Sequence, residues 1–151
     1  MSNNFSNTAE NALLLLLFNK TTWTAFAISD AGTTTNIYIS LHSADPGEAG
    51  DQTTSECAVG TFTGYARKGV LRTVGEWTVS GTTTCFARNN NIISFDPITA
   101  GTSTSHPFAG LGTSLSGAGM LMASGALTTT IYLANGVTPT IAVNGISFQL
   151  D

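Results

Sequence analysis

The stretch from residue 97 to residue 150, more than a third of the chain, contains no Asp, Glu, Lys or Arg. About a quarter of the residues of an ordinary soluble domain are charged, and these charges keep its surface solvated. Only 9% of the whole chain is charged and 42% is hydrophobic, and Thr, Ser and 16 Gly residues supply much of the remainder. Because short hydroxyl side chains suit β-strands, this composition predicts a β-rich fold with a surface that other protein covers.

The length of 151 residues is typical of one domain with a core of its own. We predict a single domain over 1–151, with an N-terminal arm and helix over 1–20 and a β-sandwich over 33–151. The formal net charge of −4 argues against nucleic acid and membrane as partners, because both attract basic surfaces. The apolar run Leu13–Phe18 is far shorter than the roughly 20 residues that span a bilayer. No basic residue precedes it as in a secretory signal, so we expect synthesis in a bacterial cytoplasm.

A helix is predicted close to the N-terminus. Asn7 is a suitable N-cap, with Glu10 three residues later as its reciprocal partner, and the helix should end near Asn19 and Lys20. Because the consecutive residues Leu13–Leu17 are spaced by about 100° each, they cover every face of the helix. Such a helix must be enclosed, either by a sheet of the same chain or by a second copy.

The rest of the chain reads as short strands separated by turn signals such as Asn135-Gly136 and Asn144-Gly145. No alternation of strands and helices is visible, which argues against nucleotide-binding α/β folds. We predict a mainly all-β fold, an antiparallel β-sandwich or jelly roll of about 8–10 short strands with one N-terminal α-helix. The predicted strands are Asn36–Ser43, Tyr65–Leu71, Trp77–Val79, Thr83–Arg88, Ile92–Phe95, Phe108–Gly112, Met120–Leu127, Thr130–Leu133, Thr140–Val143 and Ile146–Leu150.

The sequence offers little for catalysis. A Ser-His-Asp triad would need His42 or His106, but no Gly-x-Ser-x-Gly turn is present. Nothing in the sequence brings together two of the carboxylates Glu10, Glu56 and Glu76, as glycoside hydrolysis would require. We therefore predict no catalytic residues and no cofactor, and we expect that the protein is not an enzyme.

A calcium site is conceivable in the loop that carries Asp45, Glu48 and Asp51, but its spacing differs from that of an EF-hand. A solvated acidic loop is the favoured interpretation, and no metal ligand is predicted. Cys57 and Cys85 are predicted to be buried thiols, and their distance from each other stays open.

The basic residues Arg67, Lys68 and Arg72 lie within six positions of one predicted strand. Lys68 and Arg72 would share one face of that strand, whereas Arg67 would point to the other. Two interpretations remain open: a solvated edge protected by charge, or salt bridges to an acidic partner.

Several segments spread over most of the chain are similar to those of known proteins. They are Ala9-Glu10-Asn11-Ala12-Leu13-Leu14, the run from Ile37 to Gly50, Gly64-Tyr65-Ala66-Arg67, Phe95-Asp96-Pro97, Ser124-Gly125-Ala126-Leu127-Thr128 and Ile146–Leu150. The most distinctive segment is 41–50. Together the segments resemble a family of small tailed-bacteriophage virion proteins, whose members are commonly labelled tail fibre proteins. That family in turn resembles the jelly-roll cement proteins that decorate phage heads.

The resemblance implies a structural protein that stabilises the assembled virion by burying surface on it. We expect a capsid cement protein on the outside of the head, with the major capsid protein and a second or third copy of itself (a dimer or trimer) as partners. The alternative is a tail fibre or tail-associated protein, in which Trp23, Trp77 or Tyr65 would stack on a receptor sugar. The uncharged segment Thr102–Ser116 is the predicted docking region. The predicted interface residues are Leu13, Leu14, Leu16, Leu17, Phe18, Trp23, Arg67 and Lys68.

Overall fold

The computed structural model describes residues 6–22, 36–47, 49–57, 61–81 and 84–150. These residues form one helix and nine strands in two compact units. One unit contains the helix and the third, fourth and ninth strands, and the other contains most of the remaining strands. In chain order the elements are α1 (Asn7–Asn19), β1 (Asn36–His42), β2 (Lys68–Leu71), β3 (Trp77–Ser80), β4 (Cys85–Asn89), β5 (Ile93–Ser94), β6 (Thr104–Gly112), β7 (Leu121–Leu133), β8 (Thr140–Ile141) and β9 (Ser147–Leu150).

The predicted fold class is confirmed: the described chain is mostly strand, its paired strands are antiparallel, and its helix is N-terminal. Nearly every predicted strand is present within a few residues of its expected bounds. The predicted strands Met120–Leu127 and Thr130–Leu133 are in fact one strand, β7, because no turn separates them. The expectation of a single domain stays a prediction.

In the helical unit, α1 packs against the sheet β3-β4-β9. Leu14 and Phe18 lie four residues apart on one face of the helix, and both are fully buried. Phe18 meets the edge of Trp77 at a ring distance of 4.8 Å, and its ring lies 5.7 Å from that of Phe148. Burial of each such side chain contributes about 1.5–3 kcal/mol, so these side chains form the core of this unit.

The N-terminus of α1 differs from the prediction. Ser6, not Asn7, is the N-cap, and its hydroxyl accepts a hydrogen bond from the N–H of Ala9 at 3.3 Å. Glu10 therefore lies one position beyond that of a capping-box partner, and its side chain is buried. With 13 residues, α1 is too short to cross a bilayer, and the described residues contain no longer helix.

The C-terminus of α1 is closed in two ways. Lys20 adopts the left-handed conformation (φ 53°), and the N–H of Thr21 then reaches back to the carbonyl of Leu15 at 3.0 Å. Arg72 donates to the carbonyl of Leu16 at 2.6 Å and also to that of Leu17. A cation at this end of a helix satisfies carbonyls that have no partner in the helix and opposes the negative end of the helix dipole.

The second unit is built on a sheet with the order β2-β1-β6-β7, together with the short antiparallel pair β5-β8. Side chains alternate along β1, in which Ile37, Ile39 and Leu41 point to one side and are buried. Ser40 and His42 point to the opposite side and are buried as well. Both faces of β1 are therefore covered, whereas an antiparallel sheet commonly leaves one face to solvent.

The ladder between β6 and β7 is interrupted at Pro107. His106 pairs with Ile131 and Phe108 with Ala126, so residues 127–130 of β7 lie opposite a single residue of β6. Proline has no N–H to donate to a ladder, and the extra residues form a bulge at this point.

Candidate functional site

Arg67, a predicted interface residue, is instead the centre of a buried ion pair. Its Nε and Nη2 atoms each donate to the carboxylate of Glu56 at 2.7 Å. The two side chains are only 3% and 7% exposed. The Glu56 hydrogen bonds raise the pKa of Arg67, so the guanidinium stays charged. Arg67 thus finds its acidic partner within its own unit and is not a surface cation.

The same ion pair fixes the loop between β6 and β7. Arg67 donates to the carbonyls of Ser114 at 3.0 Å and Gly117 at 2.8 Å. The fully buried Gln52 holds Ser114 through two further bonds, one to its carbonyl at 3.2 Å and one from its N–H at 2.9 Å. Buried polar groups such as Arg67 and Gln52 need hydrogen-bond partners, and here the loop supplies them. The loop is therefore anchored to the core, and it also carries the exposed side chain of Leu115.

Tyr65 connects the ion pair to the core. Its hydroxyl donates to Glu56 at 3.2 Å and accepts from the N–H of Leu41 at 2.9 Å. Burial raises the pKa of Tyr65 above its ordinary value, so the phenol remains neutral. Tyr65 is 5% and Trp77 0% exposed. The sequence analysis considered both as residues that would stack on a receptor sugar. Because both are buried, neither side chain is accessible to a sugar.

A cleft of about 580 Å³ lies beside this network, lined by Glu56, Cys57, Arg67, Leu115 and their neighbours. Burial and the Glu56 charge raise the pKa of Cys57 to about 12. Because the thiolate is the nucleophilic form of cysteine, Cys57 is unreactive at neutral pH. Cys85, in the other unit, is also a buried thiol, and burial and the Glu10 charge raise its pKa. The prediction that both thiols are buried is confirmed.

The three neighbouring basic residues have separate positions. Arg67 is buried in its ion pair, Arg72 binds the end of α1, and Lys68 is half-buried on β2. They do not form one charged edge. The role of the half-buried Lys68 in an interface stays a prediction.

The predicted interface residues of α1 also differ in their burial. Leu14 and Phe18 are interior to the helical unit, whereas Leu13, Leu16 and Leu17 are half-buried. The contribution of these last three to a self-contact stays a prediction, and Trp23 lies outside the described residues.

The predicted docking region Thr102–Ser116 is exposed at its ends and half-buried at residues 107–108 and 113–114. Residues 102–105 and 115–116 are exposed. His106 and residues 109–112, on the inner strand β6, are buried.

A serine and a histidine do meet in the structure. Ser40 Oγ lies 2.7 Å from Nε2 of His42, and Nδ1 of the histidine lies 2.8 Å from the carbonyl of Thr54. In a hydrolase Nδ1 faces a carboxylate and the serine faces substrate, but here both side chains are 0% exposed. Burial lowers the pKa of His42. The pair joins a strand to a neighbouring loop and has no access for a substrate.

The acidic loop is held by its own turn. Asp51 accepts hydrogen bonds from the N–H and hydroxyl of Thr53 at 2.8 and 2.6 Å, which lower its pKa. Asp45 accepts from the N–H of Gly47 at 3.0 Å, and Glu48 lies outside the described residues. Among the described residues no three His, Cys, Asp or Glu side chains gather in a way that would hold a metal ion.

A sequence model of the family described as "Podophage GP4 fiber I protein gp80" matches residues 4–149. The chain belongs to this family. No curated protein matches the sequence. Membership in the gp80 family confirms the resemblance to small tailed-phage virion proteins and makes the chain a structural protein of a phage virion.

In this gp80-family chain, one exposed group of side chains escaped the sequence analysis. The sheet β3-β4-β9 turns one side to α1 and the other to solvent. We name the solvent side the outer face. One sequence pattern could have indicated it: Phe86 and Arg88 are two residues apart on one predicted strand and so share a face. No sequence pattern indicated that β4 pairs with β9, which lies more than fifty residues later in the chain. The outer face consists of Thr78, Ser80, Phe86, Arg88, Ser147 and Gln149.

Proposed function

We propose that this protein is a structural component of a podophage tail fibre, present in several copies and held by contacts between uncharged surfaces. The observation that carries the proposal is the match of residues 4–149 to a family described as a fiber protein. That description favours the tail over the capsid cement role that the sequence analysis ranked first.

The edge strand β7 supports a role in assembly. It is the last strand in the order β2-β1-β6-β7, so one side of it has no strand partner among the described residues. Its 13 residues include no charge and no proline, and Tyr132 on it is 62% exposed. Natural proteins usually protect a long edge with charges or proline, so an edge without them fits a protein that is covered in the virion.

A second copy of the chain is the partner that this edge fits best. Two copies related by a two-fold axis place the same residues opposite each other, and like charges directly opposite would be destabilising. An edge without charge avoids that repulsion. The alternative partner is a capsid protein, as expected for a cement protein.

Immunogold labelling of intact virions, with gel densitometry against the major capsid protein, tests the location. We expect label at the tail and a small copy number. Label over the whole head at hundreds of copies would overturn the fibre proposal in favour of capsid decoration.

Sedimentation of the purified protein tests the self-contact. Ala126→Lys places a charge on the exposed edge, and Ala44→Lys adds the same charge on an exposed turn. We expect the wild type and Ala44→Lys to form the same oligomer and Ala126→Lys to form monomers with an unchanged circular dichroism spectrum. A wild type that stays monomeric at high concentration, or an oligomer unaffected by Ala126→Lys, would contradict the proposed contact.

A further inference from the structure

We propose that the outer face of β3-β4-β9 binds carboxylate-bearing sugar residues of a bacterial surface glycan, through Arg88. This inference rests on the proposed function, because a fibre component is the kind of virion protein that meets the host surface. It concerns a different surface from the edge strand β7.

The six side chains of the outer face form two rows across three strands. Strand pairing places Thr78, Arg88 and Ser147 in one row, and Ser80, Phe86 and Gln149 in the other. Neighbouring strands are about 4.8 Å apart, and same-face residues of one strand are about 7 Å apart. Five of the six side chains are exposed and Phe86 is half-buried. The face therefore presents closely spaced hydrogen-bonding groups to solvent.

Arg88 is held in place before any ligand arrives. Its guanidinium carbon lies 4.2 Å from the centre of the Phe86 ring, and its Nε donates to the hydroxyl of Ser147 at 3.2 Å. A guanidinium stacks well on an aromatic ring. A side chain fixed in this way loses less conformational freedom when it binds a ligand.

The position of Arg88 leaves one edge of its guanidinium for a ligand. The Nε side is used by Ser147, and none of the described residues accepts a hydrogen bond from the two Nη atoms. Two parallel N–H groups match the two oxygens of a carboxylate. The outer face itself holds no acidic residue, and the carboxylate of Glu76, at the start of β3, accepts a hydrogen bond from Asn91 at 3.1 Å. No acidic side chain of the outer face therefore competes with an external anion for Arg88.

The remaining side chains favour a sugar over a protein as the source of that anion. Protein interfaces are anchored by apolar and aromatic side chains in buried pockets. Here Phe86 is the only apolar side chain, and Arg88 covers it. Its neighbours carry hydroxyl and amide groups. Thr78 donates to Asn90 at 2.7 Å and Ser147 accepts from Arg88, and groups of this kind also bond the hydroxyl groups of a sugar ring. A second copy is also disfavoured, because a two-fold axis at this face would bring two Arg88 side chains together.

Titration of the ¹⁵N-labelled protein with glucuronate, followed by NMR, tests the proposal. Glucose, glucose 6-phosphate and a short glutamate peptide serve as matched probes. We expect glucuronate to shift the Arg88 Nε–H signal and the amide signals of β3, β4 and β9, and we expect glucose to shift none of them. Repeated copies on a fibre would strengthen a weak single-site contact through multivalency.

Two variants test the role of the planar guanidinium. Arg88→Lys keeps the charge but loses the bidentate geometry, so its affinity for glucuronate should fall roughly tenfold. Lys20→Gln removes one charge elsewhere in the same unit and should bind like the wild type. The NMR spectra report whether each variant is folded.

Three results would overturn the proposal: no shifts on the outer face at saturating glucuronate, equal binding of glucose, or unchanged binding by Arg88→Lys. A stronger response to glucose 6-phosphate or to the peptide would also overturn it, in favour of a phosphate or protein ligand. Because this assay uses purified protein, its failure is distinguishable from a failure of the fibre location, which virion labelling tests separately.

Discussion

Glu56→Gln should destabilise the protein strongly, because it removes the charge that balances Arg67. The guanidinium is 3% exposed and meets the carboxylate through two bonds of 2.7 Å. When one partner of a buried ion pair is neutralised, the other is left uncompensated, at a cost of about 3–5 kcal/mol. In a chain of this size such a loss lowers Tm by on the order of 10 °C.

Scanning calorimetry and urea unfolding measure this loss. Asp96→Asn, at an exposed position of the same unit, is the matched control and should change the unfolding free energy by less than about 0.5 kcal/mol. Adding Arg67→Met to Glu56→Gln should destabilise less than the sum of the single changes, because the two side chains act as a pair. If Glu56→Gln lowers the free energy of unfolding by less than about 1 kcal/mol, the reasoning is refuted, because an exposed ion pair contributes no more than that.

Three further predictions concern stability. Burial lowers the pKa of both His42 and His106, so below pH about 6.5 the unfolded chain binds protons that the native protein excludes. Stability should then fall by up to about 1.4 kcal/mol per pH unit for each histidine, and a Tm unchanged between pH 7 and 5 would contradict this. Lys20→Gly should stabilise by about 0.5–1 kcal/mol in urea unfolding, because glycine adopts the left-handed conformation without strain, and no gain would argue against that conformation. Gly110→Ala should cost about 1–3 kcal/mol, since the added Cβ would lie 2.6 Å from Nε2 of His42, and a neutral effect in the same assay would show that this space is larger.

Local patterns predicted most of the strands. The alternation of Ile37, Ile39 and Leu41 located β1, and the turn at Asn135-Gly136 located the end of β7. Both signals depend on residues close together in the chain, where strand geometry and turn chemistry act directly.

Side-chain partners far apart in the chain could not be predicted in the same way. The ion pair of Arg67 with Glu56 depends on the path of a connecting loop, and the contact of Arg72 with Leu16 joins residues 56 positions apart. A sequence-based prediction treats a charged residue as exposed when its partner is unknown. Arg67 was therefore predicted to lie in an interface. Ser40 and His42 are two residues apart in a predicted strand and so share one face of it, but their burial depends on what covers that face.

The interruption at Pro107 has a consequence for how β6 and β7 find their alignment during folding. Their ladder shifts register twice, and the larger shift, at Pro107, divides it into two blocks that are separated by one residue on β6 and by four on β7. An alternative alignment of β7 with β6 that forms an uninterrupted ladder can reproduce the native pairing of one block but not of both. In a strand made largely of Leu, Ala, Thr and Gly, side chains alone distinguish alternative alignments poorly. The interruption at Pro107 thus favours the native alignment, in which the residues of both blocks are paired.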